Sequence, residues 1–366
     1  MRVLNMLSRR DTNARAMGLR EVFETAGAEV VDPPLLQPAE TLLDLYGEDV
    51  RGRAYITSDA LRGEQMLRPD FTVPVVQMHM AHGAEPARYT YAGEVFRRQE
   101  DNPDRPSEYV QVGYEVFDRE NPAAAEAEVF ALISNMLAHA KLRAATGDIG
   151  ILVAAVAGLK TTDERKAALT RHIWRPRKFR QLLDRYSGKT PTPVTRKDLL
   201  ADADPLRRAV PLIGKRTLGE IGERITALHN DAAAPPISSG EIELLEALLG
   251  IRETVPFALE QLRDVAVDLP AIAPAVDRLA DRADAMVERG VDVDRLDFEA
   301  SYGRTSLEYY DGFVFGFYAE RRPDLPPVAS GGRYDALTRR LGNGQEIPAV
   351  GGVIRPGLLL ELEHAQ

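Results

Sequence analysis

The sequence contains no cysteine, which excludes disulfides, thiolate zinc sites, iron–sulfur clusters and a cysteine nucleophile. Any chemistry must rest on other groups. It also lacks a run of about 18 apolar residues, the length a membrane-spanning helix needs. The opening stretch MRVLNMLSRRDTNARAMGLREVF is charged throughout, without the apolar segment of a secretory leader. The expected location is the cytoplasm, with no membrane contact. A surplus of positive charge is missing too: 46 Lys and Arg stand against 56 Asp and Glu, a net charge of −10. That is a poor background for a polyanion, so extended nucleic-acid binding is not expected. No internal repeat or low-complexity tract occurs. What remains is an ordinary globular mixture, 366 residues with 44% hydrophobic and 28% charged, enough for one large domain plus something smaller.

Spacing along the chain outlines the elements. Ala14, Met17, Leu19, Val22 and Phe23 recur at helical intervals, with Asp11 or Thr12 as N-cap and Gly27 as stop. AEVVDPPLLQP predicts a short edge strand. RAYITSD and EQMLRPD predict a hairpin, and TVPVVQMHMAH a helix with Pro74 in its first turn. RYTYAGEVFRRQ and SEYVQVGYEVF alternate as two strands joined by EDNPDRP. Asn121 and Pro122 open a long helix as N-cap and N1, after which GDIGILVAAVAGL is expected to return to the sheet. Residues 159–290 read as a mostly helical insertion between two parts, 1–158 and 291–366, of a discontinuous domain. In the last part, LDFEASYGRTSLEYYDGFVFGFYAE predicts strands with an Asp311-Gly312 hairpin turn. PVASGGRYDALTRRLG predicts strand, glycine turn and helix, and AVGGVIRPGLLLELEHAQ a strand and a terminal helix. Antiparallel strands separated by helices favour an α+β fold.

Three minor features carry little. His79 and His82 are spaced i, i+3 but no third ligand is evident, so a surface pair is expected and no metal site. GKRT at 214–217 lacks the upstream glycine of a phosphate loop. DERKAALTRHIWRPRKFRQLLDR gathers basic residues around Trp174, the single tryptophan. It reads as a solvated basic helix with a half-buried ring, or as a surface for phosphate, RNA or a protein partner.

The blocks MLRPDFTVPVV, EVFRRQEDNPDRPSEYVQVGYEVF, SLEYYDGFVF, ASGGRYDAL and AVGGVI, in this order, resemble the catalytic domain of histidyl-tRNA synthetase. The resemblance implies the class II synthetase fold, an antiparallel sheet flanked by helices, which dimerises through its first helix and strand. It places Asp70, Thr72 and Gln111 around the amino and carboxylate groups of histidine, Glu115 and Tyr310 against the imidazole with Tyr309 nearby, and Arg97 where the synthetases hold an α-phosphate. The chemistry of those residue types is suitable. A cationic amino group needs carboxylate or amide acceptors, and an imidazole needs an acceptor at each edge. Gln111 and Glu115, four residues apart on one strand, share a face. Strict alternation sends Tyr309 and Tyr310 to opposite faces unless the strand bends, which favours Tyr310. Gly331, Gly332 and Arg333 are a possible pocket floor, although a tight turn with a bracing arginine is equally compatible.

The sequence departs from the synthetases at the phosphate end. Gln99 replaces an acidic residue, Thr305 stands where an arginine precedes the tyrosine pair, and Leu358 aligns with the arginine of the last motif. Arg304 and Arg355 are out of register with those positions, and Pro356 and Gly357 are expected to break the start of the following helix. Losing one preorganised donor typically costs roughly 10² to 10³ in rate. An anticodon-binding segment is not expected, the last motif lying close to Gln366. A kept histidine pocket beside a lost ATP clamp resembles the regulatory subunit of ATP phosphoribosyltransferase. This implies a non-catalytic protein without cofactor that joins the short catalytic subunit in a hetero-octamer, with histidine as feedback ligand. The alternative is a divergent synthetase-like enzyme activating an amino acid with ATP, and a synthetase-like module sensing uncharged tRNA is a third.

Overall fold

The computed structural model describes residues 8–46, 50–99, 105–207, 214, 216–304 and 309–364. Among these the chain forms strands β1 (Glu29–Val30), β2 (Leu36–Pro38), β3 (Ile56–Asp59), β4 (Gly63–Leu67), β5 (Ala87–Phe96), β6 (Glu108–Phe117), β7 (Arg143–Asp148), β8 (Arg252–Thr254), β9 (Asp297–Glu299), β10 (Phe313–Tyr318), β11 (Ala329–Arg333) and β12 (Ala349–Ile354). Nine of them make one sheet in the order β1-β5-β6-β12-β11-β10-β7-β9-β8. Its pairs are antiparallel except β1 with β5 and β7 with β9. β2, β4 and β3 form a separate three-stranded sheet. The architecture is α+β, a large mostly antiparallel sheet flanked by helices.

The two longest strands, β5 and β6, follow from their alternation. Tyr89 pairs with Glu115 and Tyr91 with Gly113, and cross-strand partners share a face, so these residues and Gln111 point one way. Val110, Val112, Tyr114 and Val116 point the other way and are buried. On that second face Phe23 of the N-terminal helix stacks on Tyr114 at 4.9 Å. On the first face Phe71 stacks on Tyr91 at 4.2 Å. The sheet is thus covered on both sides.

Local signals account for several helix boundaries. Ser8, not Asp11 or Thr12, caps the N-terminal helix Arg9–Thr25, accepting from the Asp11 N–H, and Gly27 at φ +94° lies just beyond its end. Asn121 accepts from the Ala124 N–H, with Pro122 opening the helix Pro122–Leu137. The helix Thr72–His82 carries Pro74 in its first turn.

Other expectations are corrected. GDIGILVAAVAGL does not return to the sheet along its length: β7 ends at Asp148, whose carboxylate accepts from the Gly150 N–H at 2.9 Å and starts the helix Ile149–Gly158. An all-apolar run suits a buried helix as well as a buried strand. The Asp311-Gly312 hairpin is not formed. The Asp311 carboxylate instead accepts from the N–H groups of Asp335 and Ala336 at 3.0 and 2.7 Å, capping the helix Asp335–Leu341. AEVVDPPLLQP divides between β1 and β2, which belong to different sheets. Pro356 does not break its helix but opens it, over Pro356–His364, because a first-turn proline forfeits no intrahelical bond. His79 is 1% exposed, stacked on Phe117 at 3.9 Å and 3.1 Å from the Tyr89 hydroxyl, so it is a core residue rather than half of a surface pair. The His82 side chain, Lys215 of GKRT, most of EDNPDRP and Thr305 lie outside the described residues.

Within 159–290 the elements are helices, Asp163–Arg171, Pro176–Tyr186, Val194–Ala201, Leu218–Ala233, Ser239–Gly250, Val255–Asp268 and Ala273–Glu288, with β8 as the sheet's last strand and a short 3₁₀ turn at Pro270–Ile272. The helix Ala273–Glu288 joins the main core through Arg282, which bonds Glu126 at 2.9 Å and Asp148 at 3.0 Å. No described helix is long and apolar enough to cross a membrane. No group of three or more His, Asp or Glu among the described residues is placed to hold a metal ion.

Candidate functional site

Glu115 sits in the middle of β6, 1% exposed. One carboxylate oxygen, Oε1, accepts from Thr72 Oγ1 at 2.9 Å and from the Tyr91 hydroxyl at 2.8 Å. The other, Oε2, accepts from the Tyr334 hydroxyl at 2.6 Å. Burial pushes the acid up to about 7, against the pull of the three hydroxyl donors, with nearby Asp70 adding to the rise. Burial first, and then the charge of Glu115, holds Tyr91 and Tyr334 far above the ordinary phenol range, so both stay donors. The result is a carboxyl group in a ring of hydroxyls.

The backbone around Glu115 is cut away to make room. Gly332 pairs with Gly351, and Gly331 with Gly352, so adjacent strands carry a patch of four positions without Cβ atoms. A Cβ on Gly351 would lie 1.5 Å from Glu115 Oε2, and one on Gly113 would lie 2.1 Å from the Tyr91 ring. A Cβ on Gly332 would come within 2.7 Å of Tyr310 Cδ1. Gly331 and Gly352 face the opposite layer, where a Cβ would meet Phe315 or Ile133. Of the two glycines in SGGRY, then, only Gly332 fronts the Glu115 side.

Asp70 is buried and its Oδ1 accepts from the Val73 N–H at 3.3 Å, at the start of the helix that also supplies Thr72. Gln111 is 1% exposed, and its Oε1 has no hydrogen-bond partner among the described residues. Arg97 donates from Nε to the Pro69 carbonyl at 2.7 Å, fixing the chain beside Asp70. Tyr309 and Tyr310 are both buried, their rings 4.7 Å apart, with Tyr309 also 6.1 Å from Tyr334. They precede β10 in a turn, so strand alternation does not apply and both rings pack in one region. Burial, followed by Glu115, raises Tyr310 above its ordinary value.

Arg333 has a bracing geometry. It bonds Asp335 at 2.7 Å and Glu126 at 3.0 Å, and Glu126 in turn holds Arg282. This buried ion network lies behind Gly332 and Tyr334, the neighbours of Arg333 in sequence, and so positions both. Asp311 joins it by capping the same helix; burial and then the charge of Asp335 push it up to about 7. The two out-of-register arginines are engaged as well. Arg355 donates from Nη1 to the Pro327 carbonyl at 2.5 Å, and Arg304 from Nε to the Ile173 carbonyl at 2.9 Å.

Tyr91, Tyr334, Gly113 and Gly351 were not singled out by sequence reasoning. The alternation in RYTYAG puts Tyr89 and Tyr91 on one face but does not say which. Tyr334 and Gly351 lie in segments more than 200 residues from Glu115 in sequence, and only the sheet register joins them. Chemically the site offers a carboxyl, an amide oxygen and several hydroxyls to a small molecule rich in N–H donors.

Comparison with known proteins agrees. The family model for histidyl-tRNA synthetase matches residues 3–202 and 222–356. ATP phosphoribosyltransferase regulatory subunits from Brucella anthropi and Brucella ovis are 30% and 31% identical over 356 residues, spanning 91% of this chain and 93% of each relative. The fold is shared with the crystal structure of an ATP phosphoribosyltransferase regulatory subunit/histidyl-tRNA synthetase from Bacillus halodurans, at a TM-score of 0.68 and 21% identity, covering 96% of this chain and 79% of that one. It is shared also with histidyl-tRNA synthetase from Nostoc, at a TM-score of 0.65 and 18% identity, covering 98% and 72%. An α+β sheet of class II synthetase type, with relatives along nearly its whole length, means that the chain belongs to the family of ATP phosphoribosyltransferase regulatory subunits, within the histidyl-tRNA synthetase-like proteins.

Proposed function

We propose that this protein is a non-catalytic regulatory subunit of ATP phosphoribosyltransferase, required for the first step of histidine biosynthesis and for its inhibition by histidine. The observation that carries the reading is the buried Glu115 carboxyl, held by Thr72, Tyr91 and Tyr334 and fronted by Gly351. A buried acid near its titration point suits the N–H edge of an imidazole, which shares that range. In this reading Glu115 and Tyr310 hold the imidazole with Tyr309 beside them. Asp70 and the unpartnered Gln111 Oε1 accept from the amino group, and Thr72 and Arg97 complete the contacts. The arginines near the lost clamp positions each donate to a backbone carbonyl, Arg304 to Ile173 and Arg355 to Pro327, which supports binding rather than adenylate chemistry.

The proposed partner is the short catalytic subunit, in a hetero-octamer within the cytoplasm. Self-association would use the N-terminal helix and strand. Linked sites typically exchange about 1 to 3 kcal/mol, enough for feedback control.

The test is co-expression with the short catalytic subunit from the same organism, followed by phosphoribosyl-transfer assays with and without histidine. A complex whose activity or histidine sensitivity depends on this chain is the expected result, with Glu115→Ala weakening the histidine response. Failure to associate, together with histidine-dependent exchange of pyrophosphate into ATP, would establish an amino-acid-activating enzyme instead.

A further inference from the structure

The face of the sheet turned away from Glu115 carries a recess of its own. Arg88 pairs with Val116 across β5 and β6, which places it on the Tyr114 side. The recess has a volume of about 560 Å³ and lies between Gly27, just past the end of the helix Arg9–Thr25, one face of the helix Pro122–Leu137, and Arg289. Glu128, Ala131, Leu132 and Asn135 make that face, spaced i, i+3, i+4 and i+7. A stripe with this spacing normally packs against a neighbouring element. Here Leu132 is only half-buried and Asn135 is exposed.

The charges that line the recess do not cancel. Arg88 donates to both oxygens of Glu128, at 2.7 and 2.8 Å, and the Tyr114 hydroxyl adds a bond to Oε1 at 2.5 Å. Burial alone would raise Glu128, but those bonds outweigh it and hold the carboxyl below its ordinary range. Glu128 is therefore ionised and already matched by one guanidinium. Arg289 is the second. It comes no closer to Glu128 than 3.9 Å, beyond hydrogen-bonding distance, and its side chain makes no hydrogen bond among the described residues. Its backbone is fixed all the same: the Arg289 N–H bonds the Met286 and Val287 carbonyls, and Gly290 at φ +79° follows directly, closing the helix Ala273–Glu288. The side chain is 32% exposed and lines the recess.

From this surplus guanidinium beside an apolar floor we propose that the recess binds a small organic monocarboxylate, with its carboxylate on Arg289 and its apolar body along Ala131 and Leu132. A guanidinium fork matches the two oxygens of a carboxylate. Two arginines against one glutamate leave a single positive charge among the lining residues, which suits a monoanion. The volume falls within the range of about 300 to 1,000 Å³ usual for small-molecule sites, which combine apolar lining with a few placed polar groups. Asn135, two helical turns or about 10 Å along from Glu128, offers an amide to a polar group at the far end of such a molecule. The site lies on the opposite face of the sheet from the Glu115 pocket and does not depend on how that pocket is used.

The full-length protein is titrated with benzoate as the probe, at constant ionic strength in chloride, by calorimetry and by saturation-transfer NMR. Acetate keeps the charge without the body, and benzyl alcohol keeps the body without the charge. Expected are saturable binding of benzoate, affinities at least tenfold weaker for acetate and for benzyl alcohol, and at least a tenfold loss of benzoate affinity in Arg289→Met. Arg295→Met, at an exposed position outside the recess, should bind benzoate as the parent does. The Arg289 side chain has no hydrogen bond to lose, so the variant should fold, and a melting temperature equal to the parent's checks this. Benzoate binding that does not saturate, acetate or benzyl alcohol binding as well as benzoate, or undiminished binding by Arg289→Met would overturn the proposal.

Discussion

Replacing Gly351 with alanine tests the site most directly, because it adds one methyl group at a place where the structure fixes the consequence. The new Cβ would lie 1.5 Å from Glu115 Oε2, 2.5 Å from Cδ and 3.1 Å from the Tyr114 carbonyl oxygen. The strand cannot retreat, since β12 is paired on both sides by β6 and β11. The carboxyl must therefore swing away, and the first bond lost is the one from Tyr334 at 2.6 Å. A hydrogen bond to a charged group is worth about 1.5 to 3 kcal/mol, which at the upper end is roughly a 100-fold loss in affinity for a ligand that needs Glu115 in place. Overpacking alone also destabilises a core, typically by about 1 to 3 kcal/mol, so a control is needed. Gly352→Ala provides it: on the opposite face, its Cβ would crowd Ile133 at 2.6 Å and Phe315 at 2.9 Å without touching Glu115. Urea unfolding and calorimetric titration with histidine on both variants separate the effects. Both should lose stability, and Gly351→Ala alone should lose histidine binding. If Gly351→Ala binds histidine as the parent does, or the two variants lose it equally, the reasoning from the Glu115 ring is refuted.

Three further outcomes follow. Glu115 is held up to about 7 by burial, so its protonated form favours the fold: the contribution is complete below the unfolded value near 4.5 and is lost as pH rises through 7. Glu115→Gln should flatten the fall in unfolding free energy between pH 5 and 8, leaving the share due to Asp311, which is raised in the same sense; an unchanged slope would contradict the assignment. Arg282→Met would leave Asp148 buried without its bonded cation and Glu126 with Arg333 alone, a loss of roughly 3 to 5 kcal/mol in urea unfolding, and a loss below about 1 kcal/mol would show the cluster to be hydrated. Asn121→Ala should cost about 1 kcal/mol through the missing cap, visible as a lower melting temperature with no change in histidine titration.

How much of this was legible in the sequence depends on what each signal specifies. The β5 and β6 pair was legible because alternation over ten residues has no helical counterpart. The helix at Asn121 was legible because cap and proline coincide. The run GILVAAVAG was not, since an apolar stretch reports burial and not period; the overlooked signal was Asp148 at its head. Tyr309 and Tyr310 were judged by a strand rule while lying in a turn. At the site, Asp70, Thr72, Gln111, Glu115 and the tyrosine pair could be named from their blocks, but the hydroxyls that hold Glu115 could not. Tyr91 and Tyr334 reach it through a register between distant segments, which no local pattern encodes.

Gly332 and Gly351, the two glycines of β11 and β12 that front the Glu115 side, have a consequence for selectivity. A pocket wall made of side chains can breathe, because rotamers exchange and open or close space as a ligand demands. Here the wall beside Glu115 is peptide backbone, pinned by pairing on both sides. In the proposed histidine site the room beside Glu115 is accordingly set by covalent geometry and sheet register rather than by side-chain adaptation. On that reading a ligand one methyl group too thick at this point should be rejected by shape, so a ring-methylated histidine is expected to bind at least tenfold more weakly than histidine in calorimetric titration.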